Sequence, residues 1–374
     1  MNTETLDQPI VADVAVSAPA VVIESATPAV AAVAEGPNPF IALGLDGALV
    51  RAVSDLGYTQ PTEVQAKVIP LAMGSGKADE ASIDLMVSSQ TGSGKTAAFL
   101  LPVLNTLIAQ KAIEAAAEQA EFERQRAQAA ASGEAAPKRA KRKNPMQSRN
   151  FKAAVPGALV LCPTRELAQQ VAQDAIELVK HCKNLRVANV VGGMPYQLQI
   201  AKLQNADLVV ATPGRLLDLQ RSLQIKLDKV QFLVVDEADR MLDLGFADDL
   251  EEVHQMTAQR KQTMMFSATF APRIQQLAMR VMHDGGANVQ KITIATPQQG
   301  HDNIQQKLYW ADHAQHKRKL LDHWLRDTTI NQAIVFASTQ VECDGLAQDL
   351  AEAGFSAAAL HGALSQGLRN RRLR

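Results

Sequence analysis

A glycine-rich loop, a run of acids and a pair of hydroxyls are the parts of this 374-residue chain best suited to chemistry. The loop reads Gln90-Thr91-Gly92-Ser93-Gly94-Lys95-Thr96. Its glycines let backbone N–H groups turn toward an anion at a helix N-terminus. Lys95 can reach the β- and γ-phosphates of a triphosphate, and the Thr96 hydroxyl can ligate Mg2+. The usual pattern opens on glycine, where this sequence has Ser89. The acids are Asp236-Glu237-Ala238-Asp239, directly after Phe232-Leu233-Val234-Val235. Asp236 at a strand end can hold Mg2+ through its water shell, and Glu237 can orient or deprotonate an attacking water. Alone, such a run also suits a solvated loop; beside the phosphate loop it reads as chemistry. Ser267 and Thr269 place two hydroxyls at another strand end, where an N-cap or turn is the plainer use.

A second set of residues suits a phosphate backbone. Thr164-Arg165, Gly192-Gly193 and Thr212-Pro213-Gly214-Arg215 offer hydroxyls, close backbone approach and guanidinium groups. Such groups position a strand without reading its bases. Singly each is as good a helix cap; together they suggest a track for single-stranded nucleic acid. Aromatics are only 4% of the chain, which favours backbone grip over base stacking.

All these clusters follow short apolar runs: 84–89, 158–162, 187–191, 207–211, 232–235 and 263–266. Four or five apolar residues without alternation suit strands buried on both faces. Helical stretches such as 165–180 lie between them, so the fold expected is α/β with a mostly parallel sheet. In such sheets ligands collect beyond the carboxyl ends of the strands, where every cluster falls.

Composition bounds the rest. Lys+Arg number 38 against 39 Asp+Glu, which excludes a polybasic binder but not a local basic face. Three scattered cysteines, Cys162, Cys182 and Cys343, give neither a disulfide framework nor a zinc site and fit a reducing, cytoplasmic setting. No apolar run approaches the roughly 18 uncharged residues of a membrane span, so no membrane partner is expected. Residues 1–37 lack Lys and Arg and read as a disordered tail rather than a secretory signal. From about 109 to 150 runs an insertion, helix-prone and then basic at Lys138–Lys143; it is read as solvated, with an auxiliary phosphate-binding arm as the sharper alternative.

With these motifs in hand, the sequence resembles the DEAD-box ATP-dependent RNA helicases, bacterial type, whose namesake is Asp236–Asp239. The resemblance runs over about 38–374, the insertion apart. It implies a RecA-like ATP-binding domain at 38–296, a linker at 297–304 and a partial second RecA-like domain at 305–374. Its cofactors would be ATP and Mg2+, and its partner RNA, held by the backbone. Gly57–Gln65 is similar to the family's adenine-recognising motif, so Gln65 would bond adenine and Phe40 would pack on the base. Thr91, Gly92, Ser93, Gly94, Lys95, Thr96 and Asp236 would bind the nucleotide, with Thr96 and Asp236 serving the metal. Lys95, Asp236, Glu237, Ser267 and Thr269 would be catalytic, the two hydroxyls coupling ATP state to RNA with Asp239 nearby. RNA contacts would fall to Arg165, Gly193, Thr212, Gly214 and Arg215, and in the second lobe to Gln366 and Arg369 near His361-Gly362.

The second lobe is expected to carry strands at 333–337 and 355–360 around a helix at 341–354. A lobe of this kind needs about 120 to 150 residues, and about 70 follow the linker, so the family's later motifs and arginine fingers are expected to lie outside this sequence. Such a finger is worth roughly 10³ to 10⁵ in rate. The expectations are therefore an ATP-dependent RNA helicase; a truncated ATP- and RNA-binding fragment without unwinding; and, more remotely, a DNA helicase. Two lone strands would also leave unpaired edges and poor solubility.

Overall fold

A computed structural model describes residues 38–74, 83–90, 92–132, 152–294, 305 and 307–373. The expectations for the tail at 1–37, Thr91, the basic run at 138–143 and the linker at 297–304 lie outside the described residues.

The chain opens with a 3-10 helix, Pro39–Leu43, then α1 (Gly47–Asp55) and α2 (Glu63–Met73). From there strands and helices alternate: β1 (Leu85–Ser88), α3 (Lys95–Ser132), β2 (Ala158–Leu161), α4 (Arg165–Leu178), β3 (Val187–Val190), α5 (Tyr196–Leu203), β4 (Leu208–Ala211), α6 (Pro213–Arg221), β5 (Phe232–Val235), α7 (Ala238–Asp243), α8 (Ala247–Met256), β6 (Gln262–Ser267), α9 (Pro272–Val281) and β7 (Gln290–Thr293). The seven strands form one sheet in the order β3-β4-β2-β5-β6-β1-β7. Every pairing is parallel.

Why the central strands are continuously apolar is clear from their neighbours. Leu85, Val87, Val160, Val234 and Phe266 enter one core, beneath α1 to α4. Met86, Leu159, Leu161, Leu233 and Met265 alternate into the other, beneath α6 to α9. Each face of the pleat thus meets its own helix layer, so no position can be polar without a buried cost. The edge strands obey a weaker rule. β3 alternates half-buried and buried residues, and in β7 only Ile292 is buried. The six expected strands are present, and β7 is the one that the apolar runs did not signal.

α3 carries the phosphate loop into the core and then leaves it. Its first part, including Phe99 against the Phe266 ring at 5.2 Å, is buried. By length and composition α3 is the one described helix long and apolar enough to cross a membrane, which corrects the expectation that no stretch comes near; half of that stretch is buried inside the protein, as in a core helix. Beyond about residue 112 it runs on through the Ala/Glu-rich part of the insertion, mostly exposed.

From residue 307 the described chain holds α10 (Ala314–Leu325), α11 (Gln340–Glu352) and α12 (Gln366–Arg372). The strands expected at 333–337 and 355–360 are absent among the described residues. Neither stretch is paired with a strand among the described residues. A strand is held by its ladder and by a covered face; here Ile334 and Phe336 are 79% and 93% exposed.

Candidate active site

Elements bring the loop, the acids and the start of α4 to one place. β1 ends at Ser88 and β5 at Val235, two strands apart in the sheet with β6 between them. The turns that follow line a cavity of about 950 Å3. Among its walls are Gln65, Gly92, Gly94, Lys95, Thr96, Asp236, Glu237 and Arg369.

The loop is built for an anion. Gly92 and Gly94 sit at φ +80° and +89°, open to glycine and strained for other residues. Lys95 Nζ donates to the Ser89 carbonyl at 3.2 Å, and Ser93 Oγ bonds Ser89 Oγ at 3.2 Å, so the serine in the place of the usual glycine braces the loop. Behind it stands α2. Thr62 caps that helix and Gln65 completes the capping box: Gln65 N donates to Thr62 Oγ1, and Thr62 N donates to Gln65 Oε1. The remaining amide end, Gln65 Nε2, donates to the Gly94 carbonyl at 3.2 Å. Gln65 is therefore a buried strut between α2 and the phosphate loop. Phe40, expected against a base, is fully buried in the core and does not line the cavity.

Asp236 is 3% exposed, and its carboxylate accepts from Glu237 N at 3.0 Å. Burial pushes its pKa up to about 6, against the pull of Lys95 and with the added repulsion of Glu237. A buried carboxylate so placed is short of cations. Among the described residues no group of three or more acidic, His or Cys side chains could enclose a metal. The donor set of Asp236 and Thr96 fits an Mg2+ that arrives with phosphate oxygens and keeps its waters. Glu237 adopts left-handed φ 50° and ψ 55°, uncommon for a residue with a side chain. Backbone held in this way at the mouth of a cavity points to function.

Ser267 and Thr269 do not line the cavity. Ser267 is fully buried, and its Oγ accepts from Thr269 N at 3.4 Å. Their loop is tied on both sides: Ala268 N donates to Asp239 at 3.3 Å, and Ser88 Oγ donates to the Ala268 carbonyl at 2.9 Å. The two hydroxyls thus stand behind the acids and the end of β1, not among reacting groups.

The nucleic-acid candidates fall into two clusters. Arg165 lies along Gly192-Gly193 so closely that a Cβ on either glycine would meet its guanidinium at 3.0 Å or less. A Cβ on Gly193 would also sit 3.3 Å from Gln366 Cβ. Gln366 and Arg369 both bond Glu166 Oε1, at 2.9 and 3.0 Å, which seats α12 on the first turn of α4. The second cluster is at α6. Thr212 is its N-cap without a side-chain cap bond, Gly214 faces open space, and Arg215 lies over the Tyr196 ring. Buried polar atoms left without a partner include Arg215 Nε, Gln366 Oε1 and Arg369 Nε.

Several wall residues carried no expectation. Glu166, Gln170, Asp174 and Arg240 line the cavity, beside Tyr58 of the Gly57–Gln65 stretch. The signal for the first three was their i, i+4, i+8 spacing, which puts them on one face of α4. Burial raises the Asp174 carboxyl pKa, and burial together with Asp174 raises that of Tyr58. Arg240 pairs with Glu237 at 3.4 Å, one turn along α7.

Comparison with known proteins gives the same family. A family model described as DEAD/DEAH box helicase matches residues 62–277. ATP-dependent RNA helicase SrmB of Escherichia coli K12 is 36% identical over 333 residues, covering 88% of this chain and 64% of its own. DEAD-box ATP-dependent RNA helicase 52A of Oryza sativa is 38% identical over 348 residues, covering 90% of this chain and 52% of its own. This chain therefore spans about half to two thirds of the length of these curated relatives. Among solved structures, Saccharomyces cerevisiae Dbp5 bound to RNA and ADP BeF3 superposes with a TM-score of 0.68 at 26% identity, over 90% of this chain and 72% of that one.

Proposed function

Since this chain belongs to the DEAD/DEAH box helicase family, we propose that it is an ATP-dependent RNA helicase that binds ATP with Mg2+ in the cavity and couples this to a grip on RNA. The observation that carries the reading is the convergence of Lys95, Thr96, Asp236 and Glu237 on one cavity beyond the carboxyl ends of β1 and β5. Magnesium-bound ATP supplies the terminal P–O bond that is broken and a cation that offsets charge as it breaks.

The chain's own residues do the remainder. Lys95 turns from the Ser89 carbonyl to a phosphate oxygen. Thr96 and Asp236 would hold the metal, directly or through water. Glu237 accepts a proton from the attacking water, a role worth roughly 10² to 10⁴ in rate. Gln65 holds the loop at a fixed distance from α2, so nucleotide binding is felt there. The Asp239–Ala268–Ser88 bonds pass the state of the acids to the loop of Ser267 and Thr269. Arg165, Gly193, Thr212, Gly214 and Arg215 offer donors to successive phosphates, with Gln366 and Arg369 closing from α12. Holding a bent single strand on these groups disfavours the duplex, and hydrolysis releases it.

A second reading, binding without unwinding, is favoured by one feature: residues 307–373 contribute helices but no paired strands among the described residues. Turnover assays of this chain separate the two. Lys95→Ala is expected to abolish nucleotide binding. Glu237→Gln is expected to keep binding and lose RNA-stimulated turnover by about 10² or more. Full turnover in either variant would remove the assigned roles. Equal stimulation by matched DNA would remove RNA as the partner, because that preference requires the 2′-hydroxyl to be felt.

A further inference from the structure

Arg215 is held in an unusual way. Its guanidinium carbon lies 5.4 Å from the centroid of the Tyr196 ring. Its other contacts are loose: Nη2 to the Met194 carbonyl at 3.5 Å, and Nη1 to Asp218 at 4.0 Å. Nε is buried and has no partner. A guanidinium carries five N–H donors in a planar fork, and here almost none of that capacity is spent. The cation–π contact holds the guanidinium over the ring and leaves its Nη groups for a bidentate acceptor.

The ring is itself pinned. The Tyr196 hydroxyl bonds Ser222 Oγ, and Ser222 Oγ donates to the Asp218 carbonyl at 2.8 Å. Since Ser222 donates to Asp218, the tyrosine donates to Ser222. Ser222 is the C-cap of α6, while Arg215 sits in the first turn of the same helix. The ring therefore lies along α6 with its hydroxyl anchored at one end and its face under the arginine at the other. Tyr196 also opens α5, three residues after Gly193, where Arg165 packs.

We propose that Tyr196 is a positioning residue for RNA. It presents the Arg215 guanidinium edge-on to a backbone phosphate and fixes its spacing from the contact made at Arg165 and Gly193. This rests on the RNA reading of the α6 cluster given above. The opposing use of the same ring, stacking on a base, predicts different behaviour.

The test is binding of a short fluorescein-labelled single-stranded RNA to the whole chain, with Mg2+ and a non-hydrolysable ATP analogue, across a salt series. Tyr196→Leu is expected to weaken binding about 2- to 30-fold, the range of a cation–π contact. Its salt slope should fall by about 0.7, as for Arg215→Ala, because one single-strand phosphate contact is lost in both. Tyr196→Phe keeps the ring and should restore most of the affinity. In an Arg215→Ala background, Tyr196→Leu should cost nothing further. An added loss there, or weaker binding with an unchanged slope, would mean that the ring meets a base, and would overturn the proposal. If Arg215→Ala itself binds RNA as the parent does, the RNA reading of α6 fails, and the Tyr196 role with it. If Tyr196→Leu no longer binds the ATP analogue and so has lost its fold, Arg215→Lys decides. A lysine satisfies a contact made by charge alone, so wild-type affinity in that variant would overturn the proposal, and a loss as large as that of Arg215→Ala would sustain it.

Discussion

Gly94 shows how narrowly the phosphate loop is set. Its φ of +89° already disfavours any side chain, and an added Cβ would lie 2.7 Å from Gln65 Nε2 and 2.9 Å from Thr62 Oγ1. Both belong to the two residues of the α2 capping box. Gly94→Ala would therefore strain the loop and push α2 away together. The expected result is a loss of ATP-analogue affinity of more than tenfold by calorimetric titration. Gln65→Ala removes the strut and half of the box without the backbone strain. It should cost about 1 kcal/mol of stability in urea unfolding, the usual worth of a lost cap, and loosen nucleotide binding by less than Gly94→Ala. If Gln65→Ala is as stable as the parent and binds as tightly, Gln65 is not a strut.

At the scale of elements, the same sheet that positions the acids is latched at its opposite end. Arg260 is 4% exposed and donates to Thr263 Oγ1, the Val281 carbonyl and the Thr257 carbonyl, at 2.6, 2.8 and 3.2 Å. Its Nη2 also lies 2.7 Å from His254 Nδ1. Burial and then the Arg260 charge lower the pKa of His254. His283 stands close by, its ring nitrogens on Asp84 at 2.9 Å and the Arg260 carbonyl at 3.1 Å. A histidine kept neutral in the fold takes up its proton more readily once unfolded. Its contribution is thus fully present above the unfolded value near 6.5 and is lost as pH falls below it. His254→Gln should narrow the drop in urea midpoint between pH 7.5 and pH 5.5; an unchanged drop would dismiss this origin. Which elements the sequence disclosed follows from the same physics. Central strands such as β2 and β5 are enclosed by two cores and must be apolar throughout, so their runs are plain. β7 covers one face with Ile292 alone, and its sequence, Gln290-Lys291-Ile292-Thr293, carries little apolar signal. The phosphate loop and the acids were legible because their chemistry dictates residue type. The strut role of Gln65, the burial of Phe40 and the seat of α12 on Glu166 depend on which distant elements meet, which residue types do not encode.

Over the whole molecule, burial is uneven. The layers around the seven-stranded sheet hold nearly every fully buried side chain, whereas α10 buries none of its residues and α11 only Leu350. Ile334, Phe336 and Val341 are 79%, 93% and 83% exposed. A side chain that stays in water in the fold gives up no burial when replaced, so its substitution falls within about 0.5 kcal/mol of neutral. Ile334 and Phe336, exposed on backbone outside any helix or strand, are a template for association between chains. Ile334→Thr with Phe336→Ser should therefore leave the melting temperature and ATP-analogue affinity unchanged while lowering aggregation, read by light scattering at rising concentration. A melting temperature lower by several degrees would show that these residues are buried in solution, and that the segment from 307 onward packs more closely than its exposed side chains indicate.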